Sequence, residues 1–210
     1  NLPSHGIHNS STSALWSPTV ESNTVRNITS SSTGTAVLTY GIYMQSAGAH
    51  TIRLNTVTNL SSASTNSTVQ LIGIMLSAAT STGNTISRNT IHTLKQTNSG
   101  SGTTHHVYGI NYNAATTGTN IISRNIIHSL SLATTGTGLT TQIRGMDIAG
   151  VSSCNIENNI IRLGIDENGA AITGNYFIQG ISKQSTGNIN VYHNSVYIGG
   201  AGVVTGSVRT

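Results

Sequence analysis

Hydrolysis of a polysaccharide needs two carboxylates acting as acid and as base or nucleophile. Lysis needs carboxylates that hold calcium, with a basic proton acceptor beside them. The only acids of this sequence are Glu21, Asp147, Glu157, Asp166 and Glu167. Of these, Asp147, Asp166 and Glu167 could meet, with Arg144 and Lys183 nearby, so they are the candidate catalytic residues. The competing expectation for the same cluster is a surface salt bridge, which needs no further function. The eight histidines suggest metal chemistry, above all His92 and His128 and the adjacent His105-His106, which fall in a stretch expected to be a loop leading to Val107. A first-row metal wants three or more ligands, usually with carboxylates orienting the imidazoles. No acid lies near these histidines in sequence, so no metal and no cofactor is expected. Cys154 is the only cysteine. It cannot form a disulfide within the chain, and without a histidine partner it reads as a small buried side chain, not a nucleophile.

Whether any of these groups meet depends on the elements that carry them, and those are written as a repeat. Asparagines recur at Asn23, Asn55, Asn89, Asn125, Asn159 and Asn194, in steps of 32, 34, 36, 34 and 35 residues. A fixed period in this range marks a stacked, quasi-one-dimensional fold. Three residues before each asparagine stand Val20, Ile52, Ile86, Ile122, Ile156 and Val191; two residues after stand Val25, Val57, Ile91, Ile127, Ile161 and Val196. All are β-branched, and their neighbours are mostly polar or small. The local period is therefore two, that of strands.

A second ladder, Gly6, Gly41, Gly73, Gly109, Gly145 and Gly180, keeps phase with the first, each glycine being followed by Ile or Met. Ser/Thr/Gly/Asn-rich stretches such as Thr29–Gly34, Gln96–Gly102 and Thr134–Gly138 absorb the small differences in spacing and read as surface loops. Each unit offers three short strands, and each strand meets its counterpart one repeat later. The sequence predicts one domain over residues 1–210: an all-β, right-handed parallel β-helix of five to six coils of 32–36 residues. The hand follows from the general rule for parallel crossovers. The asparagines are expected at a bend, where Asn tolerates left-handed backbone and its amide can hydrogen-bond to the coils above and below. In this stack Glu21 and Glu157 share a column but lie about 19 Å apart by ladder spacing, too far for a catalytic pair.

Charged residues make up only 7% of the chain and aromatics 4%, so the apolar columns must supply the order. The net charge of +4 reflects few acids more than many bases. Nucleic-acid binding would need a dense basic stripe with interleaved aromatics, and it is not expected. The nearest feature is a mildly basic face of Arg88, Arg124, His92, His128 and Arg162, the candidate contact for an anionic polysaccharide. Without 18 consecutive apolar residues no membrane-spanning helix is expected. Threonine columns flank the asparagines in the first coils (Thr24, Thr56, Thr90) but decay to Ile126, Ile160 and Ser195, which ranks ice binding a distant third. Asn-X-Ser/Thr triplets at Asn9, Asn27, Asn59 and Asn66 read as accidents of a Ser/Thr-rich surface.

The segments Asn84-Thr-Ile-Ser-Arg-Asn-Thr-Ile-His-Thr-Leu94, Asn120-Ile-Ile-Ser-Arg-Asn-Ile-Ile-His-Ser-Leu130, Val107-Tyr-Gly-Ile110 and Asn190-Val-Tyr-His-Asn-Ser-Val-Tyr-Ile198 resemble the β-helix regions of very large secreted proteins of the Bacteroidota. The resemblance spans nearly the whole chain. It implies an extracellular or cell-surface location, export by type IX secretion and a structural or adhesive role, and it supplies no catalytic residues. The expected function is a non-enzymatic structural or adhesive module. Its expected partners are flanking coils of its own chain, other copies stacked end to end into a rod or filament because the repeat starts and stops mid-coil, or a surface polysaccharide. The alternative is a carbohydrate-active β-helix enzyme.

Overall fold

The computed structural model describes residues 3–11, 16–32, 36–65, 68–77, 83–98, 104–114, 120–134, 138–150, 153–184 and 186–200. Their strands form three six-stranded parallel sheets that wind into a β-solenoid. The inbound sheet, leading to the asparagines, contains β2 (Thr19–Glu21), β5 (Thr51–Arg53), β8 (Thr85–Ser87), β11 (Asn120–Ser123), β14 (Cys154–Glu157) and β17 (Ile189–Tyr192). The outbound sheet contains β3 (Thr24–Ser32), β6 (Thr56–Ser64), β9 (Thr90–Asn98), β12 (Ile126–Thr134), β15 (Ile160–Leu163) and β18 (Ser195–Ile198). The glycine sheet contains β1 (Ser4–Asn9), β4 (Ala36–Gln45), β7 (Thr68–Ser77), β10 (Thr104–Asn113), β13 (Gly138–Ile148) and β16 (Tyr176–Lys183). Like residues pair with like: Ile52 with Ile86, Val57 with Ile91, Ile74 with Ile110. These β-branched columns point inward and are fully buried through the middle coils, so each strand buries one face against the other two sheets.

The asparagine ladder is present, but its bend works differently from the expectation. The left-handed residue is the one before each asparagine: Ser22, Leu54, Arg88, Arg124, Asn158 and His193, with φ between 51° and 58°. The asparagines carry the hydrogen bonds instead. Asn55 Oδ1 accepts from both the backbone N–H and the Nδ2 of Asn23, while Asn55 Nδ2 donates to Asn89 Oδ1 and to the Val20 carbonyl. The pattern repeats through Asn89, Asn125, Asn159 and Asn194. Each amide therefore ties three coils together and satisfies corner groups cut off from water. The left-handed residues need no such side chain because they face outward and their N–H groups bond the next coil, as Leu54 N–H does to the Ser87 carbonyl at 3.1 Å.

A parallel ladder lies one corner earlier. His50 N–H donates to Asn84 Oδ1 at 2.9 Å, Asn84 Nδ2 donates to Asn120 Oδ1 at 2.9 Å, and Asn120 Nδ2 donates to the Ser153 carbonyl. Cys154 occupies the next place in this column, in register with Asn120, and is buried. Burial pushes its thiol up to about 12, where it is inert.

The glycines mark the closest approach of two sheets. A Cβ on Gly109 would lie 2.6 Å from both the Gly145 carbonyl oxygen and Ile127 Cγ2 of the outbound sheet. The Ser/Thr-rich stretches are partly strand and not loop: Thr29–Ser32, Gln96–Asn98 and Thr134 all continue the outbound ladder. Gln96 and Asn98 even point inward and are buried. The backbone there pairs in register with the coils above and below, while both amide atoms of Gln96 and the Ser62 hydroxyl are buried without a hydrogen-bond partner. Gly138 opens β13, and the remainder of those stretches, like Asn66, lies outside the described residues.

Candidate functional site

The expected acidic cluster does not assemble. Asp147 sits on the outer face of the glycine sheet, whereas Asp166 and Glu167 belong to a segment that departs from the repeat after β15. There, Asp166 Oδ1 accepts from the backbone N–H groups of Asn168 and Ala170, closing its own turn. Glu167 Oε1 meets Lys95 Nζ at 3.0 Å, and its other oxygen accepts from Ser131 Oγ. The expected surface salt bridge is likewise corrected. Arg144 and Asp147 do form an ion pair, at 2.6 Å, but both side chains are more than nine-tenths buried. Glu21 pairs with Arg53 at 2.9 Å, four ladder steps from Glu157.

The histidines are placed by the strands. His105 and His106 stand in β10, not in a loop: His105 points inward and meets Asn98 Nδ2 at 2.6 Å, and His106 points outward. His92 and His128 stack in register on the outbound sheet with ring centroids 5.0 Å apart. Their Nδ1 atoms are engaged by the Thr93 and Ser129 hydroxyls. Burial lowers the pKa of both, and for His128 the neighbouring His92 and Arg162 add to it. The rings are neutral at neutral pH. The mildly basic face therefore reduces to Arg88 and Arg124, exposed at the left-handed corner, and Arg162, whose Nη2 reaches Ser129 Oγ at 3.4 Å.

A more developed site lies where sequence reasoning placed only its ion pair. On the glycine sheet, residues 39, 42 and 44 of β4 are buried inward, while Tyr40 and Tyr43 face out with ring centroids 4.7 Å apart. Outward side chains three residues apart meet only if the strand folds toward its outer side, and the intervening Gly41 permits that bend. Two outer columns therefore converge into a groove. One reads His5, Tyr40, Ile72, Tyr108, Arg144, Gln179; the other reads His8, Tyr43, Met75, Asn111, Asp147, Ser182. Tyr40, Ile72 and Tyr108 form a small hydrophobic cluster separate from the core.

The groove changes character along its length. At one end His5, His8, Tyr40 and Tyr43 stack with centroids 4.4 to 5.4 Å apart. At the other is a polar concavity of about 260 Å³ around Arg144 and Asp147. There the guanidinium carbon lies 5.4 Å from the Tyr108 ring centroid and 6.0 Å from that of Phe177. Asp147 Oδ1 accepts from Arg144 Nη1 and from Gln184 Nε2, both at 2.6 Å, and Oδ2 accepts from Asn111 Nδ2 at 3.2 Å. Tyr108 Oη donates to Gln142 Oε1 at 2.6 Å. Burial raises the Asp147 carboxyl above the usual carboxylate range against the opposing pull of Arg144 and Gln184. Burial, then Arg144, then His105 push His106 down to about 4, so this imidazole is neutral at neutral pH. Burial also raises the Tyr108 phenol. Among the described residues of the two groove columns, Arg144 Nε, Asn111 Oδ1, Gln179 Oε1 and His5 Nε2 are buried without a hydrogen-bond partner.

The Asp147 carboxylate is held between three donors, and among the described residues no second carboxylate lines this concavity. Sequence reasoning missed Tyr108, Asn111, Gln142 and Gln184 because the signal is not in their types. For Tyr108 and Asn111 it is in the phase of the glycine ladder, which places residues one before and two after each glycine on a single outer strip; Gln142 and Gln184, three before Gly145 and four after Gly180, flank that strip. No protein-family model, curated protein or solved structure matches this chain.

Proposed function

We propose that this chain is a non-enzymatic structural and adhesive module, a rigid β-solenoid wall of the extracellular, cell-surface kind that the sequence resemblance implies. The observation that carries this reading is the disposition of the acids. Asp147 has both oxygens occupied by three donors, Asp166 closes a turn, and Glu21 and Glu167 are paired with Arg53 and Lys95. A general base must accept a proton, and a carboxylate that already accepts three hydrogen bonds is poorly placed to do so. Parallel pairing in register through six coils, with amide ladders inside the corners, gives the stiffness a spacer or adhesive surface needs.

Incubation with acidic and neutral polysaccharides, followed by assays for new reducing ends and for unsaturated sugar products, tests the reading. The expected result is no turnover above that of Asp147→Ala. Turnover that Asp147→Ala abolishes would establish the enzyme alternative.

A further inference from the structure

We propose that the groove on the outer face of the glycine sheet binds a neutral polysaccharide strand laid along the solenoid axis, packing a sugar ring on the half-buried Tyr43 and receiving hydroxyl groups at the Arg144–Asp147 end. The inference rests on the adhesive reading and names its ligand.

Charge selects a neutral ligand. The guanidinium of Arg144 is matched by Asp147 at 2.6 Å, and His106 is neutral at neutral pH, so the concavity offers an anion no net attraction. Its unfilled hydrogen-bonding capacity is mixed, a donor at Arg144 Nε and an acceptor at Asn111 Oδ1. Buried polar atoms without partners are uncommon because each costs about 1–3 kcal/mol, so a bound group that supplies the missing bonds is favoured. A sugar hydroxyl both donates and accepts, and answers both kinds of site. A carboxylate or phosphate only accepts, and would leave Asn111 Oδ1 unsatisfied.

Shape selects a polymer. The concavity of about 260 Å³ is small, suited to a single sugar ring and not to a drug-sized molecule. The groove continues beyond it past Tyr108 and over Ile72 and Met75 to the aromatic end, where the part of the Tyr43 ring left half-buried suits the polarised C–H groups of a pyranose. Tyr40 and Arg144 stand three ladder steps apart, about 14 Å. Each step of about 4.8 Å is close to the length of one sugar residue in an extended chain, so successive sugars can meet successive coils in the same way.

Affinity gel electrophoresis of the intact chain in gels containing xylan, mannan, mixed-linkage β-glucan or polygalacturonate tests this. Retardation is expected with at least one neutral polymer, with the dissociation constant rising roughly tenfold in Tyr43→Ala and in Gln184→Ala. Gln184 is exposed and outside the apolar core, so its variant leaves untouched the ring stack that Tyr43→Ala disturbs. Circular dichroism confirms this for each variant. Absence of retardation by every neutral polymer, retardation confined to polygalacturonate, or retardation unchanged in both variants would overturn the inference, and none of these outcomes touches the non-catalytic reading. Release of reducing ends from a retained neutral polymer would sink the non-catalytic reading while supporting binding in the groove.

Discussion

Arg144 Nη1 donates to Asp147 Oδ1 over 2.6 Å on the outer face of a sheet, yet both side chains are as buried as core residues. Their burial comes from the converging columns: Tyr108 and Phe177 cover the guanidinium, while Gln184 and Asn111 cover the carboxylate. Breaking a buried pair leaves an uncompensated charge, whereas replacing both partners by apolar groups removes the desolvation cost as well. Asp147→Leu is expected to destabilise the chain by about 3–5 kcal/mol, and Arg144→Met/Asp147→Leu by much less. Urea denaturation of the three proteins checks this; equal loss in single and double variants would show that the pair is not coupled.

The asparagine ladder makes an equally direct prediction. Removing the Asn89 side chain orphans the N–H and Nδ2 of Asn55 and the Ile52 carbonyl, all within a buried corner. Asn89→Ala is expected to cost about 2–4 kcal/mol. Asn23→Ala should cost distinctly less, since Asn23 is half-buried and donates to the ladder from its end. Denaturation midpoints for the two variants give the comparison, and equal losses would contradict a cooperative internal ladder.

The fold was legible in the sequence because a solenoid repeats its instructions: the β-branched residues flanking each asparagine fix two strands, and the glycines fix the third. The conformational role of the asparagines was not legible. Ser22, Leu54, Arg88, Arg124, Asn158 and His193 span five residue types, since an outward left-handed corner is set by the path of the chain and accepts several side chains. The site was half legible. Asp147 and Arg144 stood out as charges, but Asp166 and Glu167 are carried away by a segment whose departure from the repeat no periodicity announces. The convergence of Tyr40 with Tyr43, or of Arg144 with Asp147, depends on an outward fold at the glycine. A period-two reading alone would put residues three apart on opposite faces.

Leu54 exposes the cost of that corner. It holds φ at 58° with a large side chain that is 44% exposed and belongs to no core cluster. Left-handed backbone costs a non-glycine residue about 1–2 kcal/mol, and Asn bears it best. Asn158 already occupies the same place in another coil. Leu54→Asn is therefore expected to stabilise the chain by about 0.5–1 kcal/mol, read as a higher urea midpoint at unchanged slope. A lower midpoint would mean that the Leu54 side chain contributes packing that outweighs the relief of strain.

His106 ties stability to pH. Its folded pKa is depressed to about 4, mainly by burial, whereas an unfolded histidine titrates near 6.5. As pH falls, the unfolded chain therefore takes up this proton first. The contribution to stability is fully present above about 6.5, is lost progressively down to about 4 and levels off below, for a total of about 3 kcal/mol. His5, His50, His92 and His128 are depressed in the same direction, mainly by burial, and add to the loss as pH falls below about 6.5. Asp147, the acid facing His106 across the concavity, has its pKa raised, so it binds its proton first in the folded chain and opposes the loss at the acid end. Glutamine occupies the places directly above and below His106 in its column, at Gln70 and Gln142. His106→Gln is thus the substitution the groove already accepts on both sides. Urea midpoints of the parent should fall between pH 7 and pH 4.5, and those of His106→Gln should fall much less; parallel curves would assign the acid sensitivity to the other histidines.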